Sequence, residues 1–159
     1  MIVTLAITVI AATLIIPTFS SRTTSTQDQI AESYLVRAYD TAKEYYYADT
    51  AASNLGAPKP PTSFTGFTVG EANARESDLN WVGNGTSSFP NPKTIMITST
   101  PSDAAPSGNV INLCDKSDSG AYLCISASPT TLTPAYSKGA TMAAAIAKTP
   151  SATKGAGWG

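Results

Sequence analysis

The chain contains no histidine. That removes the commonest general base and the commonest metal ligand together. Charge is also sparse. Only 13% of the residues are charged and the formal net charge is −1, which leaves no clustered basic surface of the kind that nucleic-acid binding uses. There are only two cysteines, Cys114 and Cys124, in a C-x9-C spacing. Without a histidine or a further cysteine they cannot form a metal site. No nucleophile–base pair, phosphate-binding loop or carboxylate dyad stands out. The chain is therefore not expected to be an enzyme, and neither a cofactor nor a small-molecule substrate is expected.

What is present is concentrated at the two ends of the polarity scale. Met1–Phe19 (MIVTLAITVIAATLIIPTF) has no charged side chain, while the rest of the chain is polar. A helix of this length spans roughly 28 Å, close to the thickness of a bilayer core. Its apolar residues Ile2, Leu5, Ile7, Val9, Ile10, Leu14, Ile15, Ile16 and Phe19 are candidates for burial in a membrane or among identical neighbours. A cleaved signal peptide would need a basic start and a small-residue exit. Nothing basic precedes the run, and Pro17-Thr18-Phe19 is a poor cleavage site. Pro17 lacks an N–H and crowds the carbonyl four residues back. The Ser/Thr-rich residues after it are weak helix formers. A hinge is expected at Pro17, with the helix weak or melted around residues 12–24; an ordinary proline kink is the plainer alternative.

From Gln27 to Ala48 the apolar residues recur with helical period. Ile30, Ala31, Tyr34, Leu35, Ala38, Ala42, Tyr45 and Tyr46 fall within an arc of about 160°. This face is expected to pack on the rest of the chain, leaving Val36, Tyr39 and Tyr47 toward the polar side. Asn54-Leu55-Gly56 followed by Pro58, Pro60 and Pro61 ends the helix. The expected organisation is a helix over 1–54, apolar over 1–19 and amphipathic over 20–54, followed by a β-rich head over 55–159.

In the head the period shifts toward two. Strands are expected over 63–69, 93–99, 109–114 and 121–126, with Trp81 in a further short strand or core anchor and a helical turn or two at Met142–Ala147. The turn-forming residues 115–120 make the third and fourth strands a hairpin. Cys114 and Cys124 would face each other across it as a disulfide, constraining the unfolded chain by roughly 2–3 kcal/mol. An antiparallel sheet of about four strands laid on the helix satisfies both patterns, giving an α+β fold. Asp115-x-x-Asp118 with Gly120 lacks the full spacing of a calcium loop and reads better as a solvated turn. Glu71, Glu76 and Asp78 read as a charged loop. Asn84-Gly85-Thr86 is an N-glycosylation sequon, although Asn-Gly is also an ordinary turn dipeptide.

The uncharged helix, Pro17-Thr18-Phe19, the polar stretch beyond it, Ala31–Ala38 and Glu44–Asp49 together resemble the long N-terminal helix of type IV pilins. The likeness covers about the first third of the chain. Ser117–Ile125 and Tyr136–Gly139 more weakly resemble the C-terminal half of pilins from Gram-positive-type bacteria. The resemblance implies a pilin fold. It also implies a leader removed by a dedicated peptidase, a methylated first residue, and a glutamate at the fifth mature position. Aligned on the proline, that glutamate has no counterpart: Leu5 stands at position 5 and Asp28 is too far along to replace it. Either about five residues precede Met1 or the subunit lacks the glutamate.

The function this implies is a major pilin, held in the cytoplasmic membrane before assembly and then in an extracellular helical filament. Its partners would be copies of itself and the inner-membrane assembly machinery. Adhesion, motility or DNA uptake would be the task, through contact of the heads with surfaces or DNA. A low-copy pseudopilin of a secretion or competence machine, or a single-pass anchored binding module, are the alternatives.

Overall fold

The computed structural model describes residues 2–53, 64, 66–84, 89–91, 93–101 and 109–147; of these, 2–22, 49–53, 99–101 and 109 are described by their backbone alone. The fold is α+β: a long N-terminal helix and a five-stranded mixed sheet.

Helix α1 runs Ile2–Ser53. Its assignment passes through Pro17 without a break, and Thr23 and Thr24, at the end of the stretch expected to melt, are helical. One proline removes one backbone hydrogen bond, which a helix continuous on both sides can absorb as a kink. The side chains proposed above for membrane or filament burial, Ile2 to Phe19, and that of Pro17, lie outside the described residues.

The described half of α1 packs chiefly on the middle of the sheet, against β3 (Asn109–Lys116) and β4 (Tyr122–Ala127), and more lightly on β2 (Thr94–Pro101). Its contact stripe is Ala31, Leu35, Ala38, Tyr39 and Ala42, all buried. Alanine at 31, 38 and 42 allows the helix axis to approach the sheet closely, since interaxial distance follows the side chains at the contact. Two expectations are corrected. Ile30 is 43% exposed, because the stripe is centred roughly a third of a turn away from it. Tyr39, expected on the polar side, is only 5% exposed and belongs to the core. Tyr34, Tyr45 and Tyr46 are half-buried along the edges, as is Val36.

The sheet order is β1-β2-β3-β4-β5, with β1 (Asn80–Gly83) parallel to β2 and the other pairs antiparallel. It is therefore mixed rather than purely antiparallel. The added strand is β5, Pro134–Gly139. Proline at its first residue and a polar, glycine-ended sequence hide it, and both are features that edge strands tolerate. Among the described residues of the run 63–69, namely 64 and 66–69, there is no strand. Phe67 N–H donates to the Phe64 carbonyl at 3.0 Å, closing a turn, and the short helix α2 (Val69–Arg75) follows. Thr68 caps it by accepting from the Glu71 N–H at 3.4 Å. Thr-x-x-Glu is the spacing of a capping box.

Alternation divides the sheet into two faces. Toward α1 point Trp81, Ile95, Ile97, Ile111, Leu113, Leu123 and Ile125, which form the main core. On the opposite face lies the expected disulfide. Cys114 and Cys124 are register partners with Cα atoms 4.2 Å apart, buried beneath the short helix α3 (Met142–Ala147). A Cβ on Gly139 would meet the Ala145 amide nitrogen at 2.6 Å, so glycine there is what lets α3 lie directly on β5.

Candidate functional site

The polar and aromatic groups of the head converge on the seam between α1 and the sheet. The seam has two unlike ends.

At its N-terminal end, residues 23–26 of α1 are exposed and Asp28 is the first buried side chain among the described ones. Its carboxylate accepts from Ser119 Oγ at 2.6 Å and from Lys138 Nζ at 2.8 Å. One carboxylate thereby ties α1 to the β3–β4 turn and to β5. The turn is built for this. Gly120 holds a φ of +90°, a conformation suited to glycine, and donates to the Ser117 carbonyl at 2.8 Å. The Ser117 Oγ accepts the Ser119 N–H at 3.2 Å. Burial opposes ionisation of Asp28, but hydrogen bonds from Lys138, Ser119 and Ser117 outweigh it and hold the carboxyl below its ordinary range. A recess of about 510 Å³ opens beside the pair, lined by Ser119, Gly120, Ala121, Lys138, Gly139 and Ala140.

Asp115 lies two residues before Ser117 and is fully buried. Neither of its side-chain oxygens has a hydrogen-bond partner. Burial pushes its carboxyl up to about 8, with the charge of Asp118 adding to the rise; the Lys116 amide opposes it without making a good hydrogen bond. Asp118 itself is exposed, so the two aspartates of the 115–118 pair do not converge on a common point. Among the described residues no group of three or more His, Cys, Asp or Glu side chains could hold a metal ion.

Midway along the seam Arg37 makes a two-pronged contact with Glu76, Nε–Oε2 at 2.7 Å and Nη2–Oε1 at 2.8 Å, and reaches Asp78 Oδ2 at 3.1 Å. The acidic residues that read as a loop thus split. Glu71 belongs to α2, while Glu76 and Asp78 fasten α1 to the α2–β1 connection. Because Arg37 is half-exposed, this fork fixes position more than it adds stability.

The far end of the seam is aromatic. Tyr45 meets Phe67 with ring centroids 5.5 Å apart, Tyr46 meets Phe64 at 5.5 Å, and Phe67 stands edge-on to Trp81 at 6.0 Å. The polar tips are satisfied, with Trp81 Nε1 donating to the Glu76 carbonyl at 2.8 Å and Tyr46 Oη to the Pro129 carbonyl at 3.1 Å. Tyr39 donates to the carbonyl of Leu132, a left-handed residue with φ +50°. Two helix tyrosines therefore fix the β4–β5 loop. Burial raises the Tyr39 hydroxyl to about 12.

Several of these groups were missed in the sequence. Asp28 carried a signal, as the only acid between the polar Thr/Gln stretch and Ala31, but its partners lie 91 and 110 residues away. Asn84 is exposed in a turn after β1. Among the described residues no helix is long and apolar enough to cross a membrane, and residues 1–19 fall outside that statement. No known protein family, curated protein or solved structure matches the chain.

Proposed function

We propose that the chain is a structural subunit of an extracellular helical filament of the type IV pilus kind, a major pilin with a pilin-like fold. The observation that carries this reading is α1. Its described half is amphipathic and seated on the sheet of a disulfide-bonded head, and beyond Ser20-Ser21-Arg22 the same helix includes residues 2–19, which carry no charge. Such a helix has a use for both halves if the uncharged part passes from lipid into a core of like helices, a transfer between two apolar surroundings. Contacts that repeat head to tail without closing then build a fibre. A disulfide suits the oxidising space outside the cytoplasm. Tyr39 is used within the subunit and lends no support to assembly; among the described residues Ile30 and Tyr47 are the large apolar side chains left exposed.

The test is negative-stain microscopy of material sheared from the cell surface, with mass spectrometry of its main band. Thin uniform fibres built chiefly of this chain are expected, together with a soluble monomeric head when residues 1–22 are deleted. A truncated head that still polymerised would sink the reading. Absence of fibres, with the chain confined to membranes, would favour a pseudopilin or an anchored binding module.

A further inference from the structure

Asp115 breaks the pattern of its own strand. On β3 the α1-facing positions are Ile111, Leu113 and then Asp115. The carboxyl group is fully enclosed and both its oxygens lack partners. Leu123 stands opposite on β4 and has no charge to offer. From α1 comes Asp28 and from β5 Lys138, but these are bound to each other at 2.8 Å. The turn contributes Asp118, whose charge disfavours a second anion. Lys116 directs its ammonium over the Tyr122 ring, 5.4 Å from the centroid. An ionised carboxylate in such a place costs far more than a protonated one.

We propose that Asp115 is a proton-held latch for the N-terminal end of the seam. Protonated, it lets α1 and the Ser117–Gly120 turn close on the sheet. Ionised, it draws water into the seam, and that end of the helix loosens from the head. The subunit would then dock its helix firmly in neutral or mildly acidic surroundings and less firmly in alkaline ones.

The sign follows from linkage. The folded chain keeps the proton up to about pH 8, whereas the unfolded chain loses it in the ordinary carboxylate range. Between those limits the native state binds the extra proton, so stability falls as pH rises and levels off once both states are ionised. Asp115→Asn supplies a neutral side chain of the same shape at every pH. Urea unfolding of the full chain and of this variant should be compared between about pH 5 and pH 9. The unfolding constant of the native chain, relative to the variant, should rise up to tenfold per pH unit and flatten above about 8. Amides of Asp28–Leu35 should lose exchange protection at alkaline pH in the native chain and not in the variant. A relative unfolding constant that does not change with pH overturns the proposal. Should the variant not fold, carbon-13 titration of the native chain decides the matter. One aspartate carboxyl should titrate near 8, and titration of every carboxyl below about 5 also overturns it.

Discussion

The two ends of the helix–sheet seam do the same mechanical task by different physics. At the far end Tyr45, Tyr46, Phe64, Phe67 and Trp81 interlock as rings, with the Tyr46 hydroxyl and the Trp81 indole N–H each on a backbone carbonyl. At the near end a single aspartate is shared between a serine and a lysine, above a second aspartate with no partner. Ring burial scales with apolar area and is indifferent to protons. Charge pairing is directional, and its strength depends on the protonation of two carboxyls whose environments push them in opposite directions. The contrast teaches that α1 is anchored at the aromatic end and adjustable at the charged one.

The largest expected effect tests the anchor. Phe67→Ala removes the ring that bridges Tyr45 and Trp81 and leaves a cavity in the core. A loss of about 3–5 kcal/mol is expected in urea denaturation followed by circular dichroism, with little change between pH 5 and pH 8. A strong pH dependence of that loss would mean that the two ends are coupled rather than independent.

Much of this anchor was legible in the sequence, and the reasons differ by element. The helical period of 27–48 revealed a stripe, and Leu35, Ala38 and Ala42 are indeed at its centre. Its edges were placed wrongly because hydrophobicity alone could not tell Ile30 from Tyr39; the approach of the sheet decides that, and small alanines, silent in a hydrophobicity count, set the approach. The β3–β4 hairpin and its disulfide could be read from turn formers between two cysteines. The run 63–69 looked like a strand because apolar and small polar residues are interleaved along it, yet the Thr68-x-x-Glu71 cap outweighs that pattern and starts a helix. The near end of the seam was the least legible. Its partners are separated by 91 and 110 residues, and Asp115 is buried where a solvated turn was the natural reading.

The intermediate effect tests the adjustable end. Asp28→Asn keeps an acceptor for Ser119 but leaves Lys138 without its counter-charge. About 1–2 kcal/mol should be lost at pH 7. Because the Asp28 carboxyl is held below its ordinary range, the stability it contributes is present above that range and disappears as pH falls through its folded value. The native chain and the variant should therefore converge in urea midpoint as pH falls through the folded value of that carboxyl. Divergence that persisted in acid would assign the loss to packing and not to charge.

The smallest effect sharpens the comparison by removing burial from it. Asp40 and Lys43 form a pair of the same chemistry as Asp28 and Lys138, on the opposite, solvent-facing side of the same helix, with the charged atoms 3.8 Å apart and 62% and 36% of the side chains exposed. Water screens this pair, and holding two mobile side chains together offsets most of the attraction. Asp40→Ala should cost no more than about 0.5 kcal/mol, and the difference should vanish in high salt. The Asp28–Lys138 pair, whose aspartate side chain is only 10% exposed, should keep its contribution under the same salt. Equal losses at the two sites would mean that enclosure beneath the turn does nothing for Asp28. The near end of the seam would then be held by the shape of the Ser117–Gly120 turn, and its adjustment by protons would rest on Asp115 alone.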